Sequence, residues 1–259
     1  MNPLSVYLAD LTHVGGGTAT EAFPLNLGVI TTYAKKAFGD DVEISLFKFP
    51  DDLRDAIRDR PPHILGCSNY TWNSNLSYHF CSWVKSIDPN VLTVFGGTNY
   101  PFDAENQSEF LKRRPALDVH IYYEGEQAFV NIVRRVLSKS SYSAIFEAPI
   151  DGCQFIDPAT GEFVEGESLP RIRDLDSIPS PYVAGILDKF FERRLTPFVE
   201  TARGCPFTCN FCNAYHGYFT KVNLFSDEYV REELLYVAER ASSHGLWHLT
   251  MADNNFGMI

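Results

Sequence analysis

An α/β fold built around a flavodoxin-like parallel sheet is the expectation for the amino-terminal half of this chain, and three observations carry it. Short β-rich runs alternate with helical patterns as far as about residue 140. The first, third and fourth runs are followed by segments rich in Gly, Asn, Ser or Thr, the composition of a turn leaving the end of a strand, and the fifth by Glu124-Gly-Glu126. The chain has 259 residues, of which 45% are apolar, enough for one large or two ordinary cores.

The first strand is expected at Ser5–Ala9, followed by Asp10-Leu-Thr-His-Val-Gly-Gly-Gly17. Leu27, Ile30, Ala34 and Ala37 then mark the apolar stripe of a helix, and Val42–Phe47 reads as the second strand. Strand three is expected at Ile64–Cys67 and leads into Ser68-Asn-Tyr-Thr-Trp-Asn-Ser-Asn75. Strand four at Val91–Phe95 leads into Gly96-Gly-Thr-Asn-Tyr-Pro101, and strand five at Val119–Tyr123 into Glu124-Gly-Glu126. Phe129, Ile132, Val133, Val136 and Leu137 mark the helix after it. Sheets of this class bind ligands beyond the carboxyl ends of their strands, where these loops lie. Glycine lets backbone approach a ligand closely, and the amide and hydroxyl side chains offer hydrogen bonds to a polar molecule. Conformational demand alone also makes such turns Gly- and Asn-rich. Neither G-x-G-x-x-G nor G-x4-G-K-[ST] is present, so dinucleotide and P-loop sites lack their fingerprints.

Residues 141–195 are expected to be a linker with a small hairpin. Cys153-Gln-Phe-Ile156 and Phe163-Val164 flank the turn signal Asp157-Pro-Ala-Thr-Gly161. Ile178-Pro-Ser-Pro-Tyr182 reads as extended, because each proline biases its predecessor away from helix. Beyond it lies Thr201-Ala-Arg-Gly-Cys-Pro-Phe-Thr-Cys-Asn-Phe-Cys-Asn213, which sets Cys205, Cys209 and Cys212 on one short loop. Three thiolates so spaced suit one corner of a metal cluster. A [4Fe–4S] cluster ordinarily takes four cysteines, so three leave one iron open to a non-protein ligand. The alternatives are buried packing cysteines, or a zinc site with His216 as fourth ligand. Ser226 can cap a following helix with Asp227 and Glu228 in its first turn, Val230, Leu234, Val237, Ala238 and Ala241 as its buried stripe, and Gly245 at its end. Trp247–Met251 then reads as a strand, followed by Ala252-Asp-Asn-Asn-Phe256.

The cysteine spacing, the aromatic Phe211 before the last cysteine and the Arg-Gly-Cys-Pro lead-in resemble the radical S-adenosylmethionine (SAM) enzymes. Phe23-Pro-Leu-Asn-Leu-Gly28, the Gly96-Gly97 turn and Tyr123-Glu-Gly-Glu-Gln-Ala-Phe129 resemble the cobalamin (B12)-binding domain that precedes many of their barrels. The resemblance implies a Rossmann-like cobalamin domain at 1–140, the linker at 141–195, and the first part of a radical SAM (β/α) TIM-like barrel at 196–259. Thr196–Thr201 would be the first barrel strand and Trp247–Met251 the second. Because Ile259 follows the second strand directly, the expectation is a chain truncated within that barrel.

The resemblance also implies roles. Cys205, Cys209 and Cys212 would ligate a [4Fe–4S] cluster, with Pro206, Phe207 and Phe211 shielding it. Phe211, Asp253, Asn254 and Asn255 would contact SAM; Asn254 stands where relatives carry a second Asp. Ser68, Thr71, Trp72, Asn73, Gly96, Gly97, Thr98, Glu124, Gly125 and Glu126 would contact cobalamin. The Asp-x-His-x-x-Gly motif of mutases, whose histidine ligates cobalt, is here Asp10-x-x-His13-x-x-Gly16, one residue too long. Cobalamin without a histidine on cobalt is therefore expected, and His13 reads as a loop residue. The implied activity is reductive cleavage of SAM to a 5′-deoxyadenosyl radical, for methyl transfer to a carbon of a small molecule. Cyclisation or rearrangement is the alternative, as is a non-catalytic cofactor-binding module. An external one-electron donor of flavodoxin or ferredoxin type would be the redox partner. No individual catalytic residue beyond the cofactor ligands is identified.

Composition narrows the setting. A net charge of −11 disfavours non-specific nucleic-acid binding, which depends on Lys and Arg neutralising phosphates. No run approaches the length of a membrane span, and Met1-Asn2-Pro3-Leu4 opens no secretory signal. Six cysteines, three of them clustered, fit a reducing cytoplasm better than a disulfide scaffold.

Overall fold

The computed structural model describes residues 3–14, 21–139, 141–193, 195–210, 212 and 217–257. They divide into two compact units, residues 1–20 with 33–169, and residues 21–32 with 170–259.

The first unit is a seven-stranded sheet. Its first five strands are parallel: β1 (Leu4–Ala9), then, after α1 (Leu25–Phe38), β2 (Val42–Phe47), α2 (Pro50–Asp59), β3 (Ile64–Ser68), α3 (Ser74–Ile87), β4 (Leu92–Gly96), α4 (Ala104–Lys112) and β5 (Val119–Ile121). Their spatial order, β2-β1-β3-β4-β5, is that of the flavodoxin-like class. Every residue of β1 and of β3 is buried, as parallel strands covered on both faces must be. In α2, Pro50 opens the first turn, where its missing N–H costs nothing, and Asp51 and Asp52 favour the positive end of the helix dipole. Leu53 and Ile57, one turn apart, carry its buried face. Asp103 caps α4 by accepting from the Asn106 N–H at 3.0 Å. After β5, α5 (Gly125–Ser138) buries Phe129, Ile132 and Val133 but leaves Leu137 44% exposed. Eight residues from Phe129, Leu137 has rotated about 80° to the margin of the stripe.

The hairpin expected in the linker is β6 (Cys153–Ile156) and β7 (Phe163–Glu165). It does not stand apart. β6 pairs antiparallel with β5, so both strands extend the parallel sheet at that edge. Gly161, at φ +74°, closes the turn by donating its N–H to the Asp157 carbonyl at 2.8 Å.

In the second unit, β8 (Phe198–Val199) runs parallel to β11 (Thr250–Met251), with α6 (Asp227–Ser243) between them in sequence. Between β8 and α6 a short antiparallel pair, β9 (Ala202–Arg203) with β10 (Asn223–Leu224), closes the base of the cysteine loop. Residues 21–23 lie alongside Thr196: Ala22 bridges it in parallel, and the Phe23 N–H donates to the Thr196 carbonyl at 2.9 Å. Phe23 packs edge-on against Phe191, beside Tyr182, and the Tyr182 hydroxyl donates to the Phe198 carbonyl and accepts from the Phe198 N–H. Gly28 faces Pro181 and Leu187; a Cβ there would come within 2.9 Å of Pro181 Cβ. The Phe23–Gly28 stretch, which resembles the cobalamin domain, thus lies in the unit that carries the cysteines.

Ser226 caps α6 by accepting from the Tyr229 N–H at 3.1 Å. At the other end, Leu246 N–H reaches the Ala241 carbonyl and Gly245 N–H the Ser242 carbonyl, a Schellman closure with Gly245 at φ +70°. The buried face of α6 differs from the expected stripe. Val237 and Ala241 are buried, but Ala238 is exposed and Glu233 takes a place inside. Measured from Val237, Glu233 lies one turn back on the same face, whereas Ala238 is rotated about 100° away.

Candidate functional site

The cysteine loop is held firmly at its beginning. Asp253, just past β11, accepts from the Thr201 N–H at 2.7 Å, from the Ala202 N–H at 3.2 Å, and from the Thr201 hydroxyl. Arg171 donates to the Arg203 carbonyl at 3.0 Å and to the Lys221 carbonyl, tying the two sides of the loop base together. Gly204 sits at φ +109°, where a Cβ would collide with the Lys221 carbonyl, so the Gly before the first cysteine is sterically required. The Cys205 N–H donates to the Phe219 carbonyl at 2.9 Å. Its buried Sγ accepts from Asn255 Nδ2.

Cys209 is exposed and Cys212 half-buried, linked through a Cys212 N–H bond to the Cys209 carbonyl at 3.1 Å. Among the described residues no three His, Cys, Asp or Glu side chains converge on a metal-sized site. The donor set nevertheless has the chemistry of an iron–sulfur site: three thiols on one eight-residue loop, the first buried and receiving an N–H on sulfur. Phe207 is 43% exposed, Phe256 64%. Phe211 and His216 lie outside the described residues.

In the other unit, the carboxyl edge of the sheet holds a buried polar network. Asp10, at the end of β1, pairs with Lys48 Nζ at 2.8 Å and accepts from Ser68 Oγ at 2.5 Å and Asn73 Nδ2 at 3.2 Å. Lys48 has a side chain 1% exposed. Asn73 also donates to Ser68 Oγ and accepts the Tyr70 N–H at 2.9 Å. Ser68 and Asn73, both expected to reach a ligand, hold the loops after β1 and β3 together through Asp10. His13 is exposed, and its neighbours Gly15–Gly17 lie outside the described residues.

Asn69 clamps the next loop, donating to the Asn99 carbonyl at 2.7 Å and taking the Asn99 N–H on its own carbonyl. Gly97 passes over it at φ +133°; a Cβ would lie 2.7 Å from the Asn69 carbonyl oxygen. Gly97 and Thr98 are exposed and Gly96 half-buried. Thr71 is exposed, and Trp72, 48% exposed, stacks on Tyr70 with centroids 4.7 Å apart. Glu124 and Gly125 are half-buried and Glu126 is buried. Tyr123, 46% exposed, has φ +64°, a conformation few non-glycine residues adopt. The free faces of this edge are thus backbone, hydroxyl and aromatic surface, a fit for a broad, polar-rimmed ligand. Deeper, His120 stacks on Tyr100 at 3.6 Å, and burial pushes its imidazole down to about 3, leaving it neutral.

Three participants escaped the sequence reading: Lys48, Asn69 and the Asn255–Cys205 contact. Only Lys48 left a trace, as a lone cation inside Leu46-Phe-Lys-Phe49 at the end of a strand.

Residues 12–133 match the B12-binding domain family. The chain is 29% identical over 249 residues to the cobalamin-dependent radical SAM methyltransferase TokK of Streptomyces tokunonensis, covering 91% of this chain and 34% of that one. It is 31% identical over 170 residues to the anaerobic magnesium-protoporphyrin IX monomethyl ester cyclase of Rubrivivax gelatinosus, covering 64% of this chain and 29% of the other. The chain therefore spans about a third of the length of these curated relatives. Its fold is shared with the cobalamin-dependent SAM radical enzyme OxsB, solved with aqua-cobalamin and SAM bound, at a TM-score of 0.75 and 19% identity, over 98% of this chain and 34% of that one. Among the described residues no helix is long and apolar enough to cross a membrane. Residues 12–133 thus resemble the B12-binding domain family, and the chain as a whole is similar to cobalamin-dependent radical SAM enzymes.

Proposed function

We propose that this chain supplies the cofactor-holding portion of a cobalamin-dependent radical SAM enzyme that methylates a carbon of a small-molecule substrate. The observation that carries the reading is the loop Cys205–Cys212, pinned at the carboxyl end of β8 and followed by α6 and the parallel β11, in one chain with a B12-binding domain. Barrel enzymes set their chemistry at that end of their strands. Cys205, Cys209 and Cys212 would hold the [4Fe–4S] cluster, which supplies the electron that splits SAM into methionine and a 5′-deoxyadenosyl radical.

The protein's own part is to bind, orient and exclude water. Asp253 fixes the backbone at Thr201 and Ala202 and so sets where the loop leaves β8. Asn254, and Phe211 with it, remain candidates for SAM contact. Thr71, Trp72, Gly96, Gly97, Thr98, Glu124, Gly125 and Glu126 would frame cobalamin at the sheet edge, while Ser68 and Asn73 act behind them through Asp10. The electron would come from an external flavodoxin- or ferredoxin-type donor. A cytoplasmic setting, where thiols stay reduced, suits the cysteines.

The test is anaerobic reconstitution with iron and sulfide, together with hydroxocobalamin binding. Iron–sulfur absorbance and stoichiometric cobalamin are expected; zinc without iron–sulfur absorbance, or no cobalamin uptake, would sink the reading. The similarity to the Rubrivivax gelatinosus cyclase favours ring closure as a second reading. SAM labelled in its methyl group separates the two: label in the product means methyl transfer, and an unlabelled product means cyclisation.

A further inference from the structure

We propose that Asn255 is a positioning residue for the first cysteine, and that its N–H bond to Cys205 Sγ raises the reduction potential of the cluster held there. The inference rests on the reading of the cysteine loop as an iron–sulfur site, and it assigns Asn255 to the sulfur ligand rather than to SAM alone.

Several features converge on Cys205. Its backbone is immobilised by the Phe219 carbonyl, by the crowding around Gly204, and by Arg171 bracing Arg203 and Lys221. Asp253 anchors the turn after β11 to Thr201 and Ala202, which fixes where Asn255, two residues on, begins. Asn255 Nδ2 then lies against a buried Sγ. Cys209, by contrast, is exposed. A buried sulfur sees a low dielectric, so one N–H dipole weighs more there than at a solvated ligand. A donor aimed at a ligand sulfur stabilises the more negative, reduced cluster, and the potential rises. Partners of this kind also fix ligand orientation, and losing one typically costs about 10–100-fold in metal affinity.

The test uses the whole 259-residue chain, reconstituted anaerobically, with a paramagnetic-resonance redox titration and iron analysis. Asn255→Ala should make the cluster ~10-fold harder to reduce at a fixed potential, a shift of about 59 mV to more negative values for a one-electron couple. Asn255→Asp keeps the shape, removes the donor and turns a carboxylate toward sulfur, so it should shift the potential at least as far or lose iron. Potentials and iron content equal to wild type in both variants would overturn the proposal.

A second readout does not need iron. In the metal-free chain the Asn255 side-chain amide proton should resonate downfield and exchange slowly, and both properties should vanish in Cys205→Ala. An amide signal indifferent to Cys205→Ala would overturn the proposal as well. If wild type takes up no cluster, the reading of the loop fails, while the amide signal still decides whether Asn255 holds Cys205.

Discussion

The carboxyl edge of the sheet and the cysteine loop are both candidate cofactor sites, and they are built on opposite plans. At the sheet edge the polar groups below the surface satisfy one another: Asp10 with Lys48, Ser68 and Asn73, and Asn69 with Asn99. The Asp10 and Lys48 charges are paired before any ligand arrives, while Ser74 Oγ and His120 Nδ1 are buried without a partner among the described residues. The cysteine loop is fixed where it begins. Cys205 is held on both backbone and sulfur, whereas Cys209 stands in solvent and the three thiols do not converge. A broad organic ligand needs a preformed surface. A metal cluster supplies strong bonds of its own and can gather a loop around itself, as metal binding and local folding are coupled.

That contrast can be broken most decisively at the cysteines. Cys205→Ala, Cys209→Ala or Cys212→Ala should each abolish iron–sulfur absorbance after reconstitution, while Cys67→Ala, Cys81→Ala and Cys153→Ala leave iron content unchanged. Cobalamin uptake by the other unit should survive in every loop variant. Loss of both cofactors from one cysteine change would mean that the two sites do not order independently.

The next largest effect is expected beneath the sheet edge. Lys48→Ala strands the Asp10 carboxylate in the interior and should cost about 3–5 kcal/mol in urea unfolding. The double variant Asp10→Asn, Lys48→Met should lose less than the sum of its single changes, because the charge pair is removed together. Strict additivity would show that the pair does not act as a unit.

A third prediction concerns pH. Burial pushes the Glu233 carboxyl up to about 7 from a usual value of 4.5; the nearby Glu200 charge adds to this, and hydrogen bonds from Ser180 and Tyr229 work against it. The folded chain therefore keeps this proton over a range in which the unfolded chain has released it. Stability from this group is full below about pH 4.5 and falls as pH rises toward about 7. Glu233→Gln should flatten that slope and stabilise the protein at neutral pH. A denaturation midpoint whose pH profile is unchanged by the substitution would contradict the burial argument.

The smallest effect on the fold should come from Trp72→Ala. Its ring stands 48% exposed on Tyr70, so unfolding stability should change by no more than about 0.5 kcal/mol. Cobalamin affinity should nonetheless fall several-fold, the equivalent of about 0.5–1.5 kcal/mol for an aromatic contact. Titration with hydroxocobalamin checks it, and an unaltered affinity removes Trp72 from the ligand face.

Hydrophobic alternation and turn chemistry are local properties, and what depends on them was legible in the chain. All five parallel strands lie where β-rich runs occur, and Ser226 and Gly245 close α6 at the expected ends. The spacing of Cys205, Cys209 and Cys212 named one loop as a candidate metal site, but nearness along the chain does not bring the three thiols together. Pairings between distant segments were decided by the tertiary structure alone. It joined the 153–165 hairpin to the sheet, put Phe23 and Gly28 against Tyr182, Pro181 and Leu187, and sank Lys48 onto Asp10, 38 residues away. It also brought Asn255 to Cys205 across 50 residues. No local pattern encodes such contacts: a lysine or an asparagine has the same propensities in solvent as in the interior, and only the packed chain determines which buried charge or sulfur it must satisfy.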